Sequence, residues 1–260
     1  MNTLELATDF MVQSGQCNIS HFDDRAVQTT PNEPNFWYGN RVIFRSPPRD
    51  PEALIAQFHK DVPQAKHVCI GWDIPNLSRD MVEALFEGSE LSVEQADTLA
   101  LRGALKRTEA PDGIDIRPFH ALSDWAQSEA IGRLDLLDDG APEQGLDHFL
   151  SKRSDGRREQ IAQGKGAWFG AFSGDVLVGD MGIFHDQTYI RYQSVQTHRG
   201  HRRRGICSAL LCTALDWAQS RAVNALPVIV ANADTQAGRL YRRAGFELAE
   251  TTLSAYRPPL

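Results

Sequence analysis

The sequence predicts an α/β protein with a smaller N-terminal lobe and a larger C-terminal domain. Three observations carry this. Stretches of alternating apolar and polar residues, which suit strands, interleave with stretches whose apolar residues recur every three or four positions, which suit helices. One stretch, Gln193 to Ala214 (QSVQTHRGHRRRGICSALLCTA), reads as a strand ending at Thr197, a basic turn, one glycine and an apolar-faced helix. A polar segment, 103–113 (GALKRTEAPDG), ends in Pro-Asp-Gly between two such series and marks a boundary, giving lobes 1–110 and 111–260.

At 260 residues the chain can bury a sizeable core, and 42% hydrophobic with 23% charged residues is ordinary for a globular protein. The formal net charge is −7, so the arginines of the turn are a local feature on an acidic molecule. That argues against nucleic acid as a partner and suits a small amine. Cys17, Cys69, Cys207 and Cys212 show neither CxxC nor metal-ligand spacing, so free thiols, a reducing compartment and no metal are expected. The N-terminus is acidic where a signal peptide needs basic residues, and no apolar run is long enough for a bilayer. The expectation is a cytoplasmic protein with no membrane partner; monomer and homodimer both stay open.

In chain order, Leu4, Leu6, Phe10 and Met11 permit a short helix, followed by a polar stretch through Thr29, Thr30 and Pro31. Phe36 to Phe44 reads as an aromatic strand with a turn or bulge at Gly39-Asn40. Glu52 to Lys60 is helical, with Pro51 near its first turn. His67 to Trp72 is a short strand, and Ser78 caps a helix that stops at Gly88. Leu91 to Leu101 suits either strand or helix. This alternation makes 1–110 an α/β unit, and it holds no glycine-rich phosphate turn.

Beyond the boundary, Ile114 to Phe119 alternates as a strand, and Ser123 can cap a helix through Leu134. A second helix runs from about Pro142 to Gln163 with a weak centre at Ser154-Asp155-Gly156. Strands Ala167 to Phe172 and Val176 to Phe184 join through Ser173-Gly174-Asp175, and a third runs from Thr188 to Thr197. After the basic turn comes a helix to about Asn224, then the strand Pro227 to Ala231. Asp234 caps a helix that stops at Gly245, and short strands Phe246 to Leu248 and Leu253 to Tyr256 close the chain.

The strand–turn–helix at 193–214 is chemically the most informative. A helix opened by a glycine turn aims unpaired N–H groups and the positive end of its dipole at one point. Arg199, Arg202, Arg203 and Arg204 add positive potential there, which makes an anion site.

Two motifs then carry a resemblance. Arg202-Arg203-Arg204-Gly205-Ile206-Cys207 matches a Q/R-x-x-G-x-G/A turn, and Ala237-Gly238-Arg239-Leu240-Tyr241-Arg242-Arg243-Ala244-Gly245-Phe246 matches A-x-x-L-Y-x-x-x-G-F. In this order, one helix and one strand apart, they resemble the GNAT superfamily of acyl-CoA N-acyltransferases. The resemblance implies a mixed, mostly antiparallel GNAT-type sheet flanked by helices over 111–260. The N-terminal lobe looks like a degenerate half of a tandem arrangement. Cys207 replaces the turn's last small residue, and Asp234 stands where Asn is common.

What the resemblance implies for chemistry is acetyl transfer from acetyl-CoA to the amine of a small molecule. Arg203, Arg204, Gly205, Ile206, Cys207 and Ser208 would hold the diphosphate. Val195, Gln196 and Thr197 would carry the pantetheine arm as an added strand does. Tyr241 is the candidate general acid, since a phenol is protonated at neutral pH; its other reading is a packed helix tyrosine. The general base is not legible: Asp180, His185, Asp186 and His198 each read as solvated surface residues. Cys207 falls at a small-residue position with no histidine–carboxylate pair beside it, so direct transfer is expected. The rival function is a non-catalytic acyl-CoA sensor.

Overall fold

Antiparallel hairpins build the sheet, and a helix crossover twice returns the chain to a parallel neighbour. The computed structural model describes residues 1–34, 36–232 and 235–258. The first elements are α1 (Leu4–Val12), β1 (Asn18–His21), β2 (Arg25–Thr29), β3 (Arg41–Phe44), α2 (Pro51–Asp61), β4 (Val68–Trp72), α3 (Arg79–Phe86) and β5 (Ser92–Ala100). There follow β6 (Asp115–Pro118), α4 (Leu122–Asp138), α5 (Leu146–Ala162), β7 (Gly166–Ser173), β8 (Val176–His185) and β9 (Tyr189–Thr197). The last are α6 (Ile206–Gln219), β10 (Leu226–Asn232), α7 (Gln236–Ala244) and β11 (Glu247–Arg257). This is the mixed, mostly antiparallel α/β class that the sequence predicts.

The chain forms two units. One takes Met1–Leu99, Val230–Arg239 and the stretch from Leu248 on; the other takes Ala100–Ile229 and Leu240–Glu247. The first unit orders its strands β1-β2-β3-β4-β11-β5, with β3 and β4 parallel (Val42↔Ile70, Phe44↔Trp72) across the α2 crossover. Its core sets Val42, Phe44, Ile70 and Trp72 against Phe58 of α2 and Val82 and Phe86 of α3. The second unit orders β10-β9-β8-β7-β6, and only β10 and β9 are parallel there, across α6. Leu210, Leu211, Ala214, Leu215 and Ala218 of α6 are buried, the apolar stripe expected of it.

Several expectations are corrected. The polar stretch before Pro31 holds the hairpin β1–β2. Its polar residues are satisfied internally: the fully buried Gln28 accepts from Arg41 Nε (2.9 Å) and donates to Gln13 (2.6 Å). Phe36 to Phe44 is a strand only from Arg41, because Asn40 closes a turn before it. Its side chain accepts from Thr30 N–H (2.9 Å) and donates to the Glu33 and Phe36 carbonyls (2.9 and 2.8 Å). Leu91 to Leu101 resolves as strand β5.

Ser123 lies inside α4 and does not cap it. Asp124 does that work, accepting from the His120 and Ala121 amides (2.9 and 3.2 Å). Helix α5 runs unbroken through Ser154-Asp155-Gly156, with Ser154 buried. Helix α6 stops at Gln219, short of Asn224, and the two C-terminal strands are one, β11. Asp234, read as a helix cap, lies outside the described residues.

Candidate active site

Strand β9 is irregular where the site begins. Its ladder with β8 steps from Gly182↔Gln193 to Asp180↔Gln196, so β9 carries one extra residue, and Ser194 sits at φ 48°. Arg157 Nη2 donates to the Ser194 hydroxyl at 2.7 Å, and the same guanidinium lies 4.4 Å from the Trp168 ring centre. The parallel ladder to β10 ends at Arg191↔Val228. Val195, Gln196 and Thr197 therefore continue past the β10 ladder with β8 as neighbour. Gly179 opposite them is tightly approached: a Cβ there would lie 3.1 Å from Gln196 O and 3.3 Å from Thr197 Oγ1.

The basic turn follows. His198 Nδ1 accepts from Gly200 N–H (3.3 Å), so this histidine is a turn cap. Arg202 folds back, with Nε on Thr197 O (2.9 Å) and Nη2 on Asp135 (2.8 Å). Arg199 pairs with Asp138 at 3.7 Å. Arg203 and Arg204 stay exposed, Arg204 within 3.0 Å of His201 Nδ1. Two residues are left-handed, Arg203 at φ 63° and Gly205 at φ 85°. Such alternation turns successive N–H groups inward. The first amide bond of α6 is Ala209 N–H to Gly205 O (3.0 Å), and Gly205 has no side chain to cap the amides of Ile206, Cys207 and Ser208 that precede it.

The turn from β3 into α2 has the same place in its unit and the opposite solution. Asp50 caps α2, accepting from the Glu52 and Ala53 amides (3.0 and 3.2 Å), and Pro51 leads the helix. A built-in carboxylate already occupies the donors there.

Tyr241, on α7, is 5% exposed and its ring meets Phe246 at 6.4 Å between centroids. Burial raises its phenol well above the usual range. Burial also pushes the Cys207 thiol up to about 12, which keeps it protonated and unreactive. Gly245 ends α7 at φ 112°, and Lys106 N–H donates to Ala244 O (2.8 Å).

Of the residues read as solvated, Asp186 is one: it is exposed and accepts from the Thr188 and Tyr189 amides at 2.7 Å each. His185 is half-buried, 5.6 Å from Trp217, and burial lowers its pKa. Asp180 corrects the reading outright, because it is fully buried. Its Oδ1 accepts from Trp168 Nε1 (2.8 Å) and Ser128 Oγ (3.2 Å), and its Oδ2 from Gln196 Nε2 (2.8 Å). Burial pushes it up to about 6 against those three donors. Gln196 also donates to Ser128 O (3.1 Å), so the N–H groups of its side-chain amide are committed to this network. The one available signal was an aspartate inside the apolar strand VLVGDMGIFH.

Residues 120–246 match the sequence profile of the acetyltransferase (GNAT) family. They are a GNAT domain. Among curated proteins, none matches the sequence. Solved structures share the fold. A conserved protein of unknown function from Staphylococcus epidermidis superposes with TM-score 0.69 at 15% identity, covering 96% of this chain and 98% of its own. A GCN5-related N-acetyltransferase from Kribbella flavida gives 0.60 at 16%, covering 98% and 93%. A tandem GNAT protein from the clavulanic acid biosynthesis pathway gives 0.57 at 11%, covering 85% and 75%.

Family and fold support acyl transfer and, in general, acyl-CoA as donor. The residues of the GNAT domain fit such a donor: uncapped amides at a left-handed turn, two exposed arginines beside them, and a strand end that outruns its parallel ladder. Among the described residues no group of three His, Cys, Asp or Glu is arranged to hold a metal, and no helix is long and apolar enough to cross a membrane.

Proposed function

We propose that the GNAT domain transfers an acetyl group from acetyl-CoA directly to the amine of a small-molecule acceptor, as a cytoplasmic enzyme. One observation carries the reading most. The start of α6 is uncapped behind the left-handed Arg203 and Gly205, and the exposed Arg203 and Arg204 flank it.

The amides of Arg203, Arg204, Gly205, Ile206, Cys207 and Ser208 hold the diphosphate, and the Arg203 and Arg204 guanidiniums add charge-assisted contacts. The backbones of Val195, Gln196 and Thr197 align the pantetheine arm as one more strand. Acetyl-CoA, when bound, supplies the thioester. Tyr241 keeps its proton at Oη throughout the neutral range, because burial raises its pKa, and it gives that proton to the leaving sulfur. Cys207, held protonated, leaves direct transfer as the route. The first unit, with its helix start closed by Asp50, is the degenerate half of a tandem pair.

The non-catalytic acyl-CoA module is the second reading, and Asp180 favours it: the one buried carboxylate on β8 is enclosed by three donors and is not a free base. Calorimetry with acetyl-CoA tests both readings. Thiol release that depends on an added amine keeps the first and removes the second.

A further inference from the structure

The first unit contains a cavity of about 180 Å³ whose chemistry differs from that of the anion site. It is lined by Glu5 of α1, Tyr38, Arg41 of β3, Glu94 of β5, Asn232 of β10 and Thr252 of β11. Five stretches distant in sequence, around positions 5, 38–41, 94, 232 and 252, thus converge on one space. Such convergence, with polar side chains outnumbering lysines and arginines, is what a small polar ligand requires.

The charges decide which ligand. Glu94 accepts from two uncharged donors, Tyr38 Oη at 2.6 Å and Asn232 Nδ2. A carboxylate offers roughly four acceptor positions, so capacity remains after both. Glu5 is fixed in place by its own backbone, whose N–H donates to Glu250 Oε1 (3.0 Å), and its carboxylate accepts from the Thr252 hydroxyl. Arg41, 4% exposed, is the one basic residue of the lining. Its charge is shared between two carboxylates: Nη2 pairs with Asp9 at 3.1 Å, and Glu5 also acts on it, so Glu94 is the carboxylate without a basic partner in the lining. The lining is left with an excess of negative charge in a partly enclosed space.

We propose that this cavity binds a small organic cation, a protonated amine or a guanidinium, against the carboxylates of Glu94 and Glu5. Tyr38 and Asn232 hold Glu94 in orientation, and the Thr252 hydroxyl does the same for Glu5. A volume of about 180 Å³ is below the range of drug-sized pockets, so the occupant has few heavy atoms. Because the carboxylates are the recognition element, an uncharged molecule of the same shape is rejected.

The site stands without the acyl-transfer reading, since it needs no donor molecule. Calorimetry on the full chain with putrescine and with agmatine, against butane-1,4-diol as the uncharged match, tests it. At least one amine binds, the diol does not, and Glu94→Gln weakens the amine at least tenfold. Glu5→Gln, at a helix start, gives a second variant should Glu94→Gln fail to fold. The proposal is overturned if neither amine binds, if the diol binds as well as the amines, or if both folded variants bind as tightly as the parent. Acetyl-CoA titrated in parallel separates the failures, because uptake of acetyl-CoA without uptake of amine removes this site alone. Consumption of the bound amine with acetyl-CoA identifies it as the acceptor; binding without consumption identifies it as an effector of the same chemistry.

Discussion

Asp180 and Gln196 face each other across the β8–β9 ladder and close a 2.8 Å hydrogen bond beside the extra residue of β9. On the same irregular segment, Arg157 holds Ser194 at 2.7 Å. These two contacts hold the bulge, and the bulge sets how the backbone of Val195 and Thr197 is presented. Gln196→Ala removes one donor from a buried carboxylate, which costs about 1–3 kcal/mol. The expected result is a lower melting temperature together with a raised KM for acetyl-CoA, measured by melting and by initial rates.

The same carboxylate predicts a pH dependence. Asp180 is raised from 3.8 to about 6 on folding, so between those values the folded chain binds more protons than the unfolded one. Stability contributed by this group is therefore present at low pH and declines as pH rises through that window. Asp124 acts in the opposite sense. The Arg117 guanidinium, with the His120 and Ala121 amides, holds it below its usual range, so its contribution is present above the unfolded value and is lost in acid. Denaturant melts between pH 3.8 and about 6 will show Asp180→Asn removing the decline, and melts below pH 3.8 will show Asp124→Asn removing the gain.

Gly205 has a left-handed backbone with open space around it: a Cβ would meet nothing closer than Thr108 Cγ2 at 3.8 Å. Gly205→Ala thus strains φ and not packing, by about 1–2 kcal/mol. The chain stays folded, and the amides of α6 turn out of line. Calorimetry will show acetyl-CoA binding weakened about tenfold, equivalent to about 1.4 kcal/mol.

Tyr241→Phe keeps the ring packed on Phe246 and removes only the hydroxyl. A general acid contributes roughly 10²–10⁴-fold to rate. Steady-state turnover is expected to fall within that range while the affinity for acetyl-CoA stays within about twofold. A variant that turns over normally would make Tyr241 a packing residue.

Asp50 supplies the contrasting control. Asp50→Ala removes the cap of α2 and lowers stability by about 0.5–2 kcal/mol. Acetyl-CoA affinity, carried by the other turn, is unchanged in the same calorimetric assay.

Read alone, the sequence determined the elements whose cause is local. Ser78 caps α3 by accepting from Met81 N–H (3.4 Å), Gly245 stops α7, and the apolar stripe of α6 lies where its spacing puts it. The turn before α6 was legible for the same reason, since a glycine before a helix and its arginines are neighbours in the chain. Only the tertiary structure decided what depends on partners far away in sequence. Gln28 and Asp180 look like solvated residues until Gln13, Arg41, Trp168, Ser128 and Gln196 arrive to satisfy them. Glu94 meets Tyr38 and Asn232 through the same long-range closure. A buried polar group is tolerated when its hydrogen-bond partners are supplied, and no local pattern records where those partners come from.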